Sequence, residues 1–162
     1  MNILIIVESM FGNTAAVADG IAVGLRDRGA QATVAAVSQA PDVAGFDLVC
    51  LGAPTHNMGL PTPTSRAQAV TIGATPLASG LAEWLDASPS LKGVAVAAFD
   101  TAIAGFFSGS AGKRIAQRVR RLGGVLVARE TFAVAGTPAA LVAGELARAQ
   151  VWGAALAAQV PA

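Results

Sequence analysis

The sequence predicts an α/β fold of three layers, in which helices cover both faces of a doubly wound, five-stranded parallel sheet. Short apolar segments alternate along the chain with longer segments whose apolar residues recur every three or four positions. The short segments are apolar at nearly every position, as expected for strands that are buried on both faces. No repeat or linker interrupts this pattern, so we expect a single domain to span residues 1–162.

The amino-acid composition is typical of a globular protein and argues against several other classes. Hydrophobic residues make up 54% of the 162 residues and charged residues 13%, which indicates a globular chain. A net charge of +1 argues against a nucleic-acid partner. No apolar run reaches the roughly 18 residues of a membrane helix. The single cysteine, Cys50, lies in an apolar strand segment and is expected to be buried. We therefore expect a cytoplasmic protein without a membrane span.

The predicted elements follow the apolar pattern in order. Residues 3–7 form the first strand, and residues 14–28 form a helix with Val17, Ile21 and Leu25 on its apolar stripe. Further strands are predicted at residues 32–37, 47–53, 93–99 and 125–134. Further helices are predicted at residues 64–70, 76–87, 111–122 and 145–159.

Three polar loops follow the first, third and fourth predicted strands. They comprise residues 8–13, 54–75 and 100–110, and they are rich in Gly, Ser, Thr and Asn. The carboxyl ends of parallel strands share one edge of the sheet, and ligands bind there at the point where the strand order reverses. The sequence therefore predicts a binding site at this edge.

The first of these loops has the composition of a phosphate site. Gly12 permits a sharp turn, and a helix that opens at about Thr14 directs its free N–H groups and positive dipole end toward the loop. Ser9, Asn13 and Thr14 add hydroxyl and amide groups, so a phosphate is one interpretation. An ordinary strand-to-helix turn with a Thr N-cap is the other.

The first loop and its flanks resemble the N-terminal signature of the flavodoxin family. The signature asks for two aliphatic residues, an aromatic, Ser or Thr, a small residue, Thr, Ala and a further aliphatic at set spacings. This chain matches it at Ile5, Ile6, Ser9, Gly12, Thr14, Ala18 and Ile21. Val7 replaces the aromatic residue. The resemblance covers essentially the full length in the short-chain form, and it implies strand order 2-1-3-4-5.

The resemblance also implies FMN as cofactor. The family wraps the FMN phosphate with the residues that correspond here to Ser9, Met10, Phe11, Gly12, Asn13 and Thr14. Phe11 stands where the family usually carries Ser or Thr. The loops that contact the flavin ring would supply Pro54, Thr55, His56, Asn57, Met58, Gly59, Asp100, Thr101 and Ala102.

Two side-chain roles in the ring-contacting loops stay open. Met58 either packs on the flavin, since a thioether favours aromatic rings, or folds back into the core. The family usually carries a Tyr in the second of these loops, and this chain contains no Tyr. Phe106 or Phe107 either stacks on the flavin in its place or packs against the neighbouring helix.

His56 is the only histidine. Its imidazole is the one side chain in these loops expected to titrate near neutral pH at its ordinary pKa. One hypothesis places it at the border of the flavin ring, where it would make the reduction potential depend on pH. The alternative is an exposed loop histidine.

Five basic residues crowd the fourth main helix: Lys113, Arg114, Arg118, Arg120 and Arg121. A solvated surface is the ordinary interpretation. The same face suits an acidic partner or a phosphorylated cosubstrate. Mobile carriers of the family are usually strongly acidic, which a chain of net charge +1 is not.

The resemblance leads to two functional hypotheses. The first is an FMN-binding redox protein that exchanges electrons with a partner protein or a small acceptor, either as a carrier or as a reductase of quinone-like molecules. The second is a flavodoxin-fold binding or regulatory module with weak or no flavin affinity, which Phe11 and the absence of Tyr favour. No catalytic residue and no metal site is predicted, and the oligomeric state stays open.

Overall fold

Strands and helices alternate in the order that the apolar pattern predicts. The computed structural model describes residues 1–87, 90–105 and 109–160. The strands are β1 (Asn2–Val7), β2 (Gln31–Ala36), β3 (Leu48–Pro54), β4 (Ala95–Ile103), β5 (Val125–Ala135) and β6 (Ala140–Leu141). The helices are α1 (Asn13–Arg26), α2 (Pro63–Val70), α3 (Leu81–Asp86), α4 (Ala111–Arg121) and α5 (Glu145–Leu156).

The strands form one sheet in the order β2-β1-β3-β4-β5-β6. The first five are parallel, which confirms the predicted fold class and the order 2-1-3-4-5. β6 adds an antiparallel pair of residues at the β5 edge. It was not predicted, because two residues are too few to show an alternating pattern. Within the described part of the chain, no helix has the length and apolar character needed to cross a bilayer.

Apolar clusters cover both faces of the sheet. Ile3 and Ile5 of β1 pack with residues of α1 and α5 on one face, while Leu4 and Ile6 pack with residues of α3 and α4 on the other. This alternation places two helical layers around the sheet and explains why β1 is apolar at every internal position. Cys50 is fully buried in β3, as expected, and burial raises the pKa of its thiol to about 12.

The two largest errors in the predicted boundaries are at the start of α3 and at the end of β4. α3 begins at Leu81 and not at residue 76, because the apolar residue Leu77 packs with the separate cluster around Met10. The Glu83 carboxylate accepts the N–H of Gly80 at 3.0 Å and caps the helix at this point. β4 continues to Ile103, so the predicted loop from residue 100 begins as strand, because hydrogen bonds satisfy its buried polar residues.

Candidate functional site

The carboxyl ends of β1, β3 and β4 meet at one edge of the sheet. Val7 pairs with Gly52, and Pro54 pairs with Thr101, so the three following loops converge as predicted. They enclose a cleft of about 150 Å³. The cleft is lined by Met10, Phe11, Asn13, Thr14, Pro54, Thr55, His56, Thr101, Ala102, Ile103, Val134 and Ala139.

One wall of the cleft was not predicted. Val134 lies near the end of β5, and Ala139 lies in the turn to β6. The rule that ligands bind at the carboxyl edge of a parallel sheet applies to the fifth strand as well, so this signal was available in the sequence. The side chain of Asn13 ties this wall to the first loop by donating to the carbonyl of Ala139 at 2.8 Å.

The first loop turns into α1 through Gly12. Gly12 has a φ of 88°, a left-handed conformation that favours glycine, and no other group approaches the place of a Cβ. The N–H groups of the first turn of α1 are directed toward this loop. Met10 is buried against Ala69 and Ala74, whereas Phe11 is 38% exposed at the rim of the cleft.

The hydroxyl groups of the first loop differ in their bonding. Thr14 Oγ1 and Thr101 Oγ1 share one hydrogen bond of 2.9 Å, so one of the two O–H groups keeps its proton free to donate. Ser9 Oγ is buried and finds no hydrogen-bond partner among the described residues. A buried hydroxyl without a partner is costly, and its presence calls for a ligand or another polar group that satisfies it.

The second loop forms a tight turn at its start. His56 and Gly59 exchange two backbone hydrogen bonds of 2.9 Å, and the two residues between them have positive φ values, 46° for Asn57 and 67° for Met58. The left-handed region is unfavourable for a residue such as Met58. Its side chain is 59% exposed, so the alternative that placed Met58 in the core was wrong.

His56 is half-buried between the cleft and α2. Its Nδ1 lies 3.0 Å from Ser65 Oγ, which also takes part in the capping box of α2 with Thr62. Burial and, secondarily, the nearby charge of Arg66 hold the pKa of His56 below its ordinary value of 6.5. The imidazole is therefore neutral at neutral pH. The alternative of an exposed loop histidine was wrong.

The depressed pKa of His56 predicts a pH-dependent stability. Below about pH 6.5 the unfolded chain binds a proton at His56 before the folded protein does, so the wild type loses stability relative to a His56→Gln variant as the pH falls. Urea denaturation of both proteins at pH values from about 8 down to about 5.5 measures this difference. A stability difference that is constant over this range, or that favours the wild type more at low pH, contradicts the prediction.

A buried charged cluster lies behind the first loop. Glu8 and Arg66 are 1% and 3% exposed, and Arg66 Nη1 lies 3.3 Å from Glu8 Oε1. Arg66 Nη2 also bonds the partly exposed Glu83, and the other oxygen of Glu8 accepts the N–H of Leu81 at 2.8 Å. Burial raises the pKa of Glu8 against these opposing contacts. The cluster joins the start of the first loop to α2 and α3, and it was not predicted because its partners lie far apart in sequence.

Asp100 is fully buried and does not line the cleft. Its Oδ2 accepts hydrogen bonds from Thr55 Oγ1 at 2.8 Å, from Ser110 Oγ at 2.8 Å and from the N–H of Gly112 at 3.1 Å. Its Oδ1 accepts from Thr131 Oγ1 at 2.6 Å. The carboxylate thus joins the second loop, the start of α4 and β5, while its neighbours Thr101 and Ala102 face the cleft.

The remaining predicted site residues are placed as follows. Pro54 and Thr55 line the cleft, whereas Asn57, Met58 and Gly59 lie on the turn beside it. Phe106 and Phe107 lie outside the described residues, so their two alternatives stay as predicted. The described residues hold no cluster of three or more metal-ligating side chains.

One family model matches the N-terminal part of the chain. Residues 4–65 match a family model described as a flavodoxin domain. No curated protein sequence matches the chain significantly.

Solved flavodoxin structures share the whole fold. Flavodoxin 1 from Bacillus cereus is 18% identical, with a TM-score of 0.70 over 99% of this chain and 100% of that one. The flavodoxin of Megasphaera elsdenii is 21% identical, with a TM-score of 0.64 over 94% and 98%. The flavodoxin of Streptococcus pneumonia TIGR4 is 19% identical, with a TM-score of 0.67 over 99% and 100%. At these identities the likeness shows the fold.

Proposed function

We propose, from the match of residues 4–65 to a flavodoxin-domain model and from the shared fold, that this chain binds FMN in the cleft and exchanges electrons with a redox partner or a small acceptor. One observation carries the proposal. Ser9 Oγ is a buried hydroxyl without a partner in the described structure, and it lies in the loop that leads into α1. A phosphate at this place would accept its proton and those of the N–H groups at the helix start.

The residues of the cleft fit the two ends of such a cofactor. Asn13 and Thr14 line the cleft, and the shared Thr14–Thr101 bond leaves one O–H there to donate. The unpartnered hydroxyl of Ser9 is buried beside the cleft lining, in the same loop, and a phosphate would have to enter this loop to reach it. Pro54, Ala102 and Ile103 offer apolar surface for a ring. When bound, FMN supplies the redox chemistry by taking up and releasing electrons.

The protein's own contribution is to bind, orient and shield. Asn13 donates to Ala139 and so holds the first loop against the β5–β6 turn. The Asp100 carboxylate holds Thr55 and the start of α4 in place at the rim. These bonds preorganise the cleft, which lowers the entropy that a ligand loses on binding.

A Ser9→Ala variant tests the proposal. We expect the dissociation constant for FMN to rise about tenfold, because the phosphate loses one hydrogen bond to a hydroxyl that is already desolvated. The stability of the flavin-free protein should not fall, since Ser9 Oγ gives up no partner in the described structure. Quenching of FMN fluorescence measures the affinity, and thermal unfolding measures the stability.

A Ser38→Ala variant serves as the matched control, because Ser38 is exposed and lies outside the cleft. It should bind FMN like the wild type. Wild-type protein that leaves FMN fluorescence unchanged at micromolar concentration contradicts the proposed function. Equal FMN affinity in the wild type and in Ser9→Ala contradicts the assigned phosphate position.

One observation favours a second function. In this alternative the chain is a binding or regulatory module with weak or no flavin affinity. Phe11 stands exposed at the rim of the cleft, where the resemblance leads one to expect a hydroxyl residue. The FMN titration separates the two functions. If FMN binds, turnover with a nicotinamide donor and a quinone distinguishes a reductase from a carrier.

A further inference from the structure

The outer face of α4 is strongly basic. Lys113, Arg114, Arg118, Arg120 and Arg121 point away from the sheet, and we call these five residues the basic face. The opposite side of the helix is buried through Ile115, Ala116 and Val119. No acidic residue lies in α4, so its own sequence offers no neutralising partner.

Ion pairs with the described residues neutralise little of this charge. Arg118 pairs with Asp86 at 2.8 Å and donates to the carbonyl of Ala82 at 3.0 Å. Arg114 Nη1 donates to Gln117 Oε1 at 3.5 Å, and Arg114 forms no ion pair with a described residue. In the part of the chain that the structure describes, the other three residues of the basic face form no ion pair. Since the chain as a whole has a net charge of +1, all its remaining residues sum to −4.

The basic face adjoins the candidate flavin cleft. A groove of about 340 Å³ runs between α4 and the second loop, and it is lined by Gly59, Leu60, Arg114, Gln117, Arg118 and Arg121. The His56–Gly59 turn separates this groove from the cleft, because His56 lines the cleft while Gly59 lines the groove. The exposed side chain of Met58 stands on the same turn.

We infer that the basic face is the docking surface for an acidic redox protein, with Met58 as an apolar contact at its edge. The inference rests on the proposed function, because it takes the docked partner to be the one that exchanges electrons at the neighbouring cleft. A chain with a net charge near zero has little overall attraction for a charged partner, so the local cluster must supply the steering. Arg and Met are both enriched in protein interfaces.

The shape of the surface favours a protein over a small phosphorylated molecule. The cations are spread over nine helical residues, which span about 12 Å. Lys113, Arg114, Arg120 and Arg121 are exposed. Small-ligand sites are mostly apolar, with a few converging polar groups, whereas three arginines line the groove beside α4, and Lys113 and Arg120 lie outside it. An extended row of mobile cations matches a row of carboxylates on a partner.

Binding of two probe proteins tests the inference. A strongly acidic plant-type ferredoxin and the basic cytochrome c are titrated separately into the FMN-loaded protein by calorimetry, at ionic strengths of about 20 mM and about 300 mM. We expect binding of the ferredoxin at low ionic strength and its loss at high ionic strength. Cytochrome c should bind more weakly under the same conditions.

Matched variants locate the binding. Arg114→Gln combined with Arg121→Gln should raise the dissociation constant for the ferredoxin by about fivefold or more at low ionic strength. Arg26→Gln combined with Arg28→Gln removes the same charge from exposed positions at the end of α1, which covers the other face of the sheet, and it should change the constant less than about twofold. An equal effect of both pairs, or no ferredoxin binding by the wild type, overturns the inference. Tighter binding of cytochrome c than of the ferredoxin overturns the inference as well.

The affinity of every variant for FMN is measured separately, so that the two proposals fail independently. If the variant of the basic face loses ferredoxin binding and keeps normal FMN affinity, the result supports the docking surface and does not affect the proposed function. If the wild type does not bind FMN, the proposed function fails, and the same titrations on the flavin-free protein still decide whether the basic face binds an acidic protein.

Discussion

Replacement of Arg66 by methionine is expected to lower the free energy of unfolding by about 3–5 kcal/mol, because it leaves the buried Glu8 carboxylate without its cationic partner. Among the described residues, the Glu8 carboxylate then keeps the N–H of Leu81 as its one donor, which cannot by itself compensate for burial of a charge. Urea denaturation followed by circular dichroism measures the loss. In the same variant the pKa of His56 should rise toward its ordinary value, since the charge of Arg66 contributes to its depression.

Two further variants make the Arg66 prediction specific. Glu83→Gln should cost about 1 kcal/mol or less, because the Glu83 side chain is 35% exposed and solvent screens its charge. Glu8→Leu combined with Arg66→Met should recover most of the stability, because it leaves no unpaired charge in the interior. A loss of less than about 1 kcal/mol for Arg66→Met would show that the pair contributes little.

Replacement of Asp100 by alanine is expected to cost about 3 kcal/mol, because four donors lose their common buried acceptor. The N–H of Gly112 and the hydroxyls of Thr55, Ser110 and Thr131 then have to find other partners inside the protein. FMN affinity should fall too, since Thr55 lies at the rim of the cleft. Chemical denaturation and the FMN titration give the two readouts.

The stability of Asp100→Asn should lie between that of Asp100→Ala and that of the wild type, because its amide oxygen has two lone pairs and can still accept from two of the three donors at the Oδ2 position. Asp19→Ala is the surface control, since Asp19 is exposed on α1, and its effect should stay within about 0.5 kcal/mol. An Asp100→Ala protein as stable as this control would mean that the four hydrogen bonds are dispensable.

Local patterns were sufficient for most of the fold. β1 is apolar at each internal position, and α1 carries a stripe of four-residue spacing, so both elements were predictable to within a few residues. The patterns failed where an apolar residue served another cluster. Leu77 packs against the cluster around Met10 and lies outside α3. Its spacing in the sequence is the same as that of a residue on the apolar face of the helix, so α3 was predicted to begin too early.

The candidate site was predictable only as a set of loops. Parallel strands place their carboxyl ends at one edge, so the grouping of the three loops followed from strand order alone. The strand order does not show which side chains of these loops face the cleft. Asp100 and Thr101 are adjacent polar residues, yet the pleat of β4 directs the first into a buried hydrogen-bond cluster and the second into the cleft.

The sequence by itself determined the fold class, the strand order through its family resemblance, and the edge at which a ligand would bind, because these depend on periodicity and on short motifs. Only the tertiary structure decided which polar groups are satisfied and which are left over. The free hydroxyl of Ser9, the Glu8–Arg66 pair and the groove between α4 and the second loop each depend on residues far apart in the chain. Such contacts form when elements pack together, and no local pattern encodes them.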